Sequence, residues 1–248
     1  MYSRVIVSQI IQEQSFLPVR NRLDLETVNR IYGGPLSAPV TIGEVSPPDS
    51  ELTRKAASLV ERVHSKVLAH HLHRTWWFAE FLGKKRGLTY DREVTYLAAL
   101  LHDLGLTAEF SADQRFEVDG ADAASRFLVA NDYPSSKTEL VWDAIALHSS
   151  GGIADRKQPE VALVYMGAHV DVFGLRLEEI TPSVVDDVLA LHPRIGFKAA
   201  FAAALAEVAR KKPHTAVGTG LADIGRRHLH GFDVPNVCDL IDSSPFES

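Results

Sequence analysis

The sequence predicts an all-α fold, a single helical bundle preceded by an irregular N-terminal arm. Three observations carry that expectation. From residue 49 onward, apolar residues recur at helical spacing. No apolar–polar alternation long enough for a strand occurs after residue 48. Start and stop signals punctuate the periodic stretches: Asp91 stands before one, Gly105 just after it, and Thr181-Pro182 at the head of another.

Taken in order, residues 1–48 form the arm. Gly33, Gly34, Pro35, Pro39, Gly43, Pro47 and Pro48 interrupt its short apolar pieces, so no long element is expected there. Residues 49–248 form the helical domain. Asp49 or Ser50 caps a helix that opens at Glu51 and runs to residue 63, and a second covers 67–85, ending near Gly87. Asp91 caps a third, which runs through Val94, Leu97, Leu100 and Leu101 into a His102-Asp103 doublet. A loop over 111–118 is followed by helices over 119–131 and 135–148, and Ser149-Ser150-Gly151-Gly152 then breaks the pattern. Further helices are expected over 159–173, stopped by Gly174, then over 181–191, 193–211 and 221–229.

A chain of 248 residues fits one large core, since single cores stop growing at roughly 250–300 residues. The formal net charge is -6 with no block of like charge, so no case arises for nucleic acid or an anionic membrane as partner. A small-molecule substrate in a local pocket stays open. Cys238 is the one cysteine, which excludes an internal disulfide and suits a reducing compartment. No stretch has a signal peptide's layout or the ~20 apolar residues of a membrane span, so a cytoplasmic location is expected. The arm and the alanine-rich stretch 199–209 make a homodimer an expectation as well.

The chemistry lies in the histidines, of which there are 11. His102-Asp103 ends an apolar helix, which carries the doublet to the floor of a pocket. A buried carboxylate is costly unless something positive pairs with it, and a divalent cation supplies that charge. Imidazole nitrogen and carboxylate oxygen suit zinc, iron, nickel or manganese. Three other apolar stretches carry chemistry-bearing residues: Ala69-His70-His71-Leu72-His73-Arg74, Ala144-Ile145-Ala146-Leu147-His148, and His169-Val170-Asp171-Val172-Phe173-Gly174. By spacing alone His70, His71 and His73 are all open as ligands, and Asp171 is open either as a ligand or as the ion-pair partner of an arginine such as Arg74.

These segments, with Leu101-His102-Asp103-Leu104-Gly105-Leu106-Thr107 and Arg115-Phe116-Glu117-Val118-Asp119-Gly120-Ala121, resemble the HD-domain metal-dependent hydrolase superfamily. Within it the chain is similar to the cyanamide hydratase-like family over roughly residues 48–175. His70 and Leu72 stand where that family has Asn and Ser. The resemblance implies a single helical HD-domain bundle with His71, His102, Asp103 and Asp171 as ligands of one divalent metal ion, zinc first, with iron or manganese also fitting. Arg74, three residues after the family's first ligand, selects His71. Asp103 and His148 are implied as catalytic residues, and Thr107 and Arg74 as substrate-binding. The implied reaction is hydration of a small cyano compound, cyanamide to urea. The alternatives are phosphate-ester hydrolysis and a non-catalytic metal-binding module. Against the former, Leu106 stands where nucleotide-cleaving members have an acid, and the Gly-Tyr-Pro signature of cyclic-dinucleotide phosphodiesterases is missing.

Overall fold

The computed structural model describes residues 40–246, and ten helices and no strand lie among them. Much of the arm expected over residues 1–48 therefore lies outside the described residues. The described residues divide into two compact units, 48–180 with 194–246, and 40–47 with 181–193.

The larger unit opens with α1 (Glu51–Val63). Ser50 Oγ accepts from the Thr53 backbone N–H and Thr53 Oγ1 accepts from that of Ser50, a reciprocal cap that satisfies two donors the helix leaves open. Next comes α2 (Lys66–Lys85), buried on most of its circumference. α3 (Arg92–Leu101) is capped by Asp91, whose Oδ1 accepts from the Glu93 and Val94 N–H groups. The sequence places the His102-Asp103 doublet at the end of this helix; in the structure His102 caps it, and Asp103, at φ -101° and ψ 15°, lies just beyond. Just past its end the chain passes close against the start of the next helix. A Cβ on Gly105 would sit 1.9 Å from the Phe116 carbonyl oxygen.

That next helix, α4 (Phe116–Val129), begins earlier than expected. Asp119 does not open it; its carboxylate instead reaches back to the N–H groups of Ala112 and Gln114 and to Lys212 Nζ, pinning the preceding loop. α5 (Ser135–Ala146) follows, then α6 (Pro159–Phe173), with Pro159 in its first turn and Gly174 closing it at φ +73°. α6 is buried along most of its length, the pattern of a central helix.

The smaller unit contains α7 (Pro182–Leu191) and a turn in which Ile42 and Val45 exchange two backbone hydrogen bonds. Back in the larger unit, α8 (Phe197–Lys211) starts after Gly196, whose φ of +76° stops the chain from entering the helix at residue 193. α9 (Gly220–His228) closes the expected series, and α10 (Val237–Asp242), capped by Asn236, was not anticipated.

α2 and α6 make the most extensive helix pair of the bundle, with α3 and α5 packed beside them. They approach closely at Gly167, where a Cβ would lie 2.2 Å from the Thr75 carbonyl oxygen and 3.0 Å from the Ala79 Cβ. One turn away on each helix stand His71 and Asp171. Among the described residues no helix is long and apolar enough to cross a membrane.

Candidate metal centre

Three imidazoles converge in the larger unit, and each is held by its Nδ1. His71, in the middle of α2, donates from Nδ1 to Asp171 Oδ2 at 2.7 Å. His102, at the end of α3, donates to the Ala99 carbonyl at 2.8 Å. His148, two residues past α5, donates to the Ile145 carbonyl at 2.7 Å. All three acceptors are oxygens without a proton, so in each neutral ring the hydrogen is assigned to Nδ1 and a lone pair is left on Nε2. For His102 and His148 the reason is local. The last carbonyls of a helix have no partner within it, and an imidazole three residues on can cap one.

The three Nε2 atoms surround the Asp103 carboxylate. His102 Nε2 and His71 Nε2 lie 3.4 and 3.6 Å from Oδ2, and His148 Nε2 lies 3.7 Å from Oδ1. All four side chains are buried. Neither Asp103 oxygen receives a hydrogen bond, and Asp103 is the only carboxylate among the described residues left buried in that way. Lone pairs therefore face a carboxylate across a gap with no donor between them. Burial pushes Asp103 up, and it is positive charge at His102, His71 and His148, not their neutral lone pairs, that would hold it below the usual carboxylate range. His71 is pushed down by burial, against the pull of Asp171. Burial and the neighbouring His102 bring His148 down to about 4.

This donor set fits a cation. Ligand atoms of His71, His102 and Asp103 all lie within 4.8 Å of one another, the one such group among the described residues. Two nitrogens and a carboxylate oxygen suit a borderline divalent ion.

The other residues expected at the site fall in different places. Asp171 stands behind His71, outside that group. Its oxygens also accept from Arg74 Nε and Nη2, both at 2.8 Å, and from Arg194 Nε at 2.9 Å. Burial pushes Asp171 up, and His71 with Arg74 brings it well below the carboxylate range. Arg74 is fully buried in this ion pair. Thr107 is buried and donates to the Leu104 carbonyl at 2.7 Å, closing a short 3-10 turn. Of the histidines that compete with His71 by spacing, His73 faces Glu61 at 3.4 Å, and His70 is half-buried with its pKa lowered to about 4, first by burial and then by Lys66.

A cavity of about 840 Å³ opens on His71, His102 and His148. Arg74 and Thr107 do not line it. Glu117 does, and sequence reasoning gave it no role. It is buried, accepts from Ser149 Oγ at 2.6 Å and from Arg115 Nη2 at 2.8 Å, and sits on the His148 side of the cavity. Burial pushes Glu117 up, and the Arg115 guanidinium together with His148 and the Ser149 hydroxyl brings it below its ordinary value. Two further supports were also missed. Arg194 shares Asp171 with Arg74, and His64 Nε2 donates to the Asp103 carbonyl at 3.1 Å. The sequence offered a faint signal for His64 only, as a histidine just past the predicted end of α1.

No curated protein matches the chain. Residues 68–186, just under half of the chain, contain His71, His102, Asp103, His148 and Asp171 and match the family model described as HD domain.

Proposed function

We propose that the protein is a metal-dependent HD enzyme that adds water to a nitrile-type carbon, in the manner of cyanamide hydration to urea. HD domains are generally metal-dependent hydrolases. The observation that carries the reading is the Asp103 carboxylate, buried without a hydrogen bond among three lone-pair-bearing nitrogens. A bound divalent ion, with zinc, iron and manganese all suited to these donors, lowers the pKa of water from 15.7 to about 7.

His71, His102 and Asp103 would hold that ion. Asp171 acts through His71: its carboxylate fixes the ring and keeps the proton on Nδ1. His148 works from the cavity side. Its Nδ1–H is committed to Ile145, so Nε2 is free to take a proton from attacking water and return it to the nitrile nitrogen. The carbon gains an oxygen and the nitrogen gains hydrogen, with no oxidant or reductant required. Glu117, tied to Arg115 and Ser149, holds a fixed negative charge at the same end of the cavity.

Phosphate-ester hydrolysis is the second reading, favoured by Arg115 and Lys198 on the cavity wall. Their charge is matched by Glu117 and Asp223 on the same wall, and the position of the acid used by nucleotide-cleaving members is Leu106. The test is direct. Metal content is measured in protein purified without added ions, followed by urea release from cyanamide and phosphate release from p-nitrophenyl phosphate. We expect metal, urea and no phosphate, with metal and activity both lost in Asp103→Ala. Phosphate release instead selects the second reading. Metal with neither product leaves a binding module, and full metal and activity in Asp103→Ala rejects the site.

A further inference from the structure

The cavity is far larger than cyanamide needs. Cyanamide has three heavy atoms and fills a space of only a few waters, at about 30 Å³ each. The cavity measures about 840 Å³, towards the upper end of the ~300–1,000 Å³ seen for sites of drug-sized ligands.

Its walls explain the size. α8 presents Phe197, Phe201 and Leu205 to the cavity at a spacing of four residues, one stripe of a helix face. Across from them α6 contributes Val172 and Phe173, and the loop after α5 contributes Ile153. Ile153 is 59% and Phe173 66% exposed, so the apolar lining continues out to the surface. Single exposed apolar residues are ordinary, but these two border one concave apolar surface that ends at the histidines.

The charges on the wall cancel. Arg115 and Lys198 are positive, Glu117 and Asp223 negative, and Arg115 is already bonded to Glu117 at 2.8 Å. Apart from a metal ion at the histidines, the wall offers an anionic body no surplus of positive charge to offset its loss of water.

We propose that the site takes an uncharged substrate with an extended apolar body, whose polar end meets His71, His102 and His148 while its body lies along Phe197, Phe201 and Leu205. The inference rests on the metal-dependent reading for the identity of that polar end. Its test does not depend on turnover.

Straight-chain nitriles from acetonitrile to octanenitrile are titrated into the full-length, chelator-treated protein by calorimetry, with octyl phosphate as the anionic comparison. Burial of one methylene corresponds to about fourfold in affinity. We expect affinity to rise by about that factor per added carbon until the cavity is filled, with octyl phosphate no tighter than octanenitrile. Phe201→Asp is expected to weaken octanenitrile at least tenfold. Where that variant fails to fold, Ile153→Asp at the exposed rim is expected to weaken the longest nitriles and spare acetonitrile. Affinity independent of chain length overturns the apolar body, and octyl phosphate binding tenfold tighter than octanenitrile overturns the uncharged head. Turnover is scored separately on metal-replete enzyme. Chain-length dependence without turnover removes the reaction and keeps the substrate class; cyanamide turnover with a flat series does the reverse.

Discussion

His71 donates from Nδ1 to Asp171 Oδ2 at 2.7 Å, and that bond leaves the ring's Nε2 facing Asp103 at 3.6 Å. Asp171 thereby joins two jobs, fixing the His71 ring and neutralising Arg74 in the core. Asp171→Asn keeps the shape and removes the charge. Breaking a buried pair from one side costs about 3–5 kcal/mol, which denaturant unfolding of metal-free protein will read. Loss of an orienting partner lowers metal affinity by about 10–100-fold. Complete loss of binding in a folded Asp171→Asn variant would show instead that Asp171 is itself a ligand.

Asp103 carries the opposite trade. Its buried carboxylate has no hydrogen bond, so metal-free Asp103→Asn, whose amide can donate to a neighbouring Nε2, should be more stable than wild type. The expected gain is about 1–3 kcal/mol, the cost of one buried unsatisfied group. Zinc should reverse the order, because binding at 100 times Kd adds about 2.7 kcal/mol to wild type alone. Thermal melts of both proteins, with zinc and with chelator, check this; a metal-free variant that melts below wild type sinks it.

Glu117 supplies a pH signature. Its folded pKa lies below the ordinary 4.5, so the unfolded chain takes up the proton first as pH falls. The stability Glu117 contributes is therefore complete above about pH 4.5 and is lost as pH drops through the lower folded value. Melting temperatures of wild type and Glu117→Gln should differ by a constant amount from pH 7 to 5 and converge below 4.5. In an Arg115→Gln background the convergence should move to higher pH, since the guanidinium that lowers Glu117 is gone.

Gly167 tests the frame. Gly167→Ala drives a methyl group into the Thr75 carbonyl and should destabilise the fold by about 1–3 kcal/mol, the range for overpacking. The strain falls between α2 and α6, so it also separates His71 from Asp171. Zinc affinity measured by competition with a chelator should fall along with stability. A destabilised variant with unchanged zinc affinity would uncouple the crossing from the centre.

How much of this was legible depended on how local the cause was. α6 could be read to the residue because Pro159 opens it and Gly174, at φ +73°, closes it, both being backbone effects carried by the residue itself. The all-α class and the His102-Asp103 doublet were legible for the same kind of reason. Gly105 was legible as a stop after α3, but its close approach to the Phe116 backbone was not, because only folding brings the two together. Glu117 stood inside a segment that resembles the family, but its place beside Ser149 depends on a contact between residues 32 apart. Arg194 reaches Asp171 across 23 residues, and no local pattern in the chain announces that pairing.

The anchors of the three imidazoles are unequal in kind. His102 and His148 bond to the carbonyls of Ala99 and Ile145, atoms that every amino acid has. Replacing the side chain of residue 99 or 145 leaves the acceptor in place, so the tautomers of two rings are protected from point mutation as long as the helix ends persist. His71 alone depends on a side chain, Asp171. Variation in the electronic character of this centre, whether by drift or by design, therefore has one orienting partner to act on, and that partner also balances charge in the core. The adjustable part of the site and a costly part of the fold are the same carboxylate.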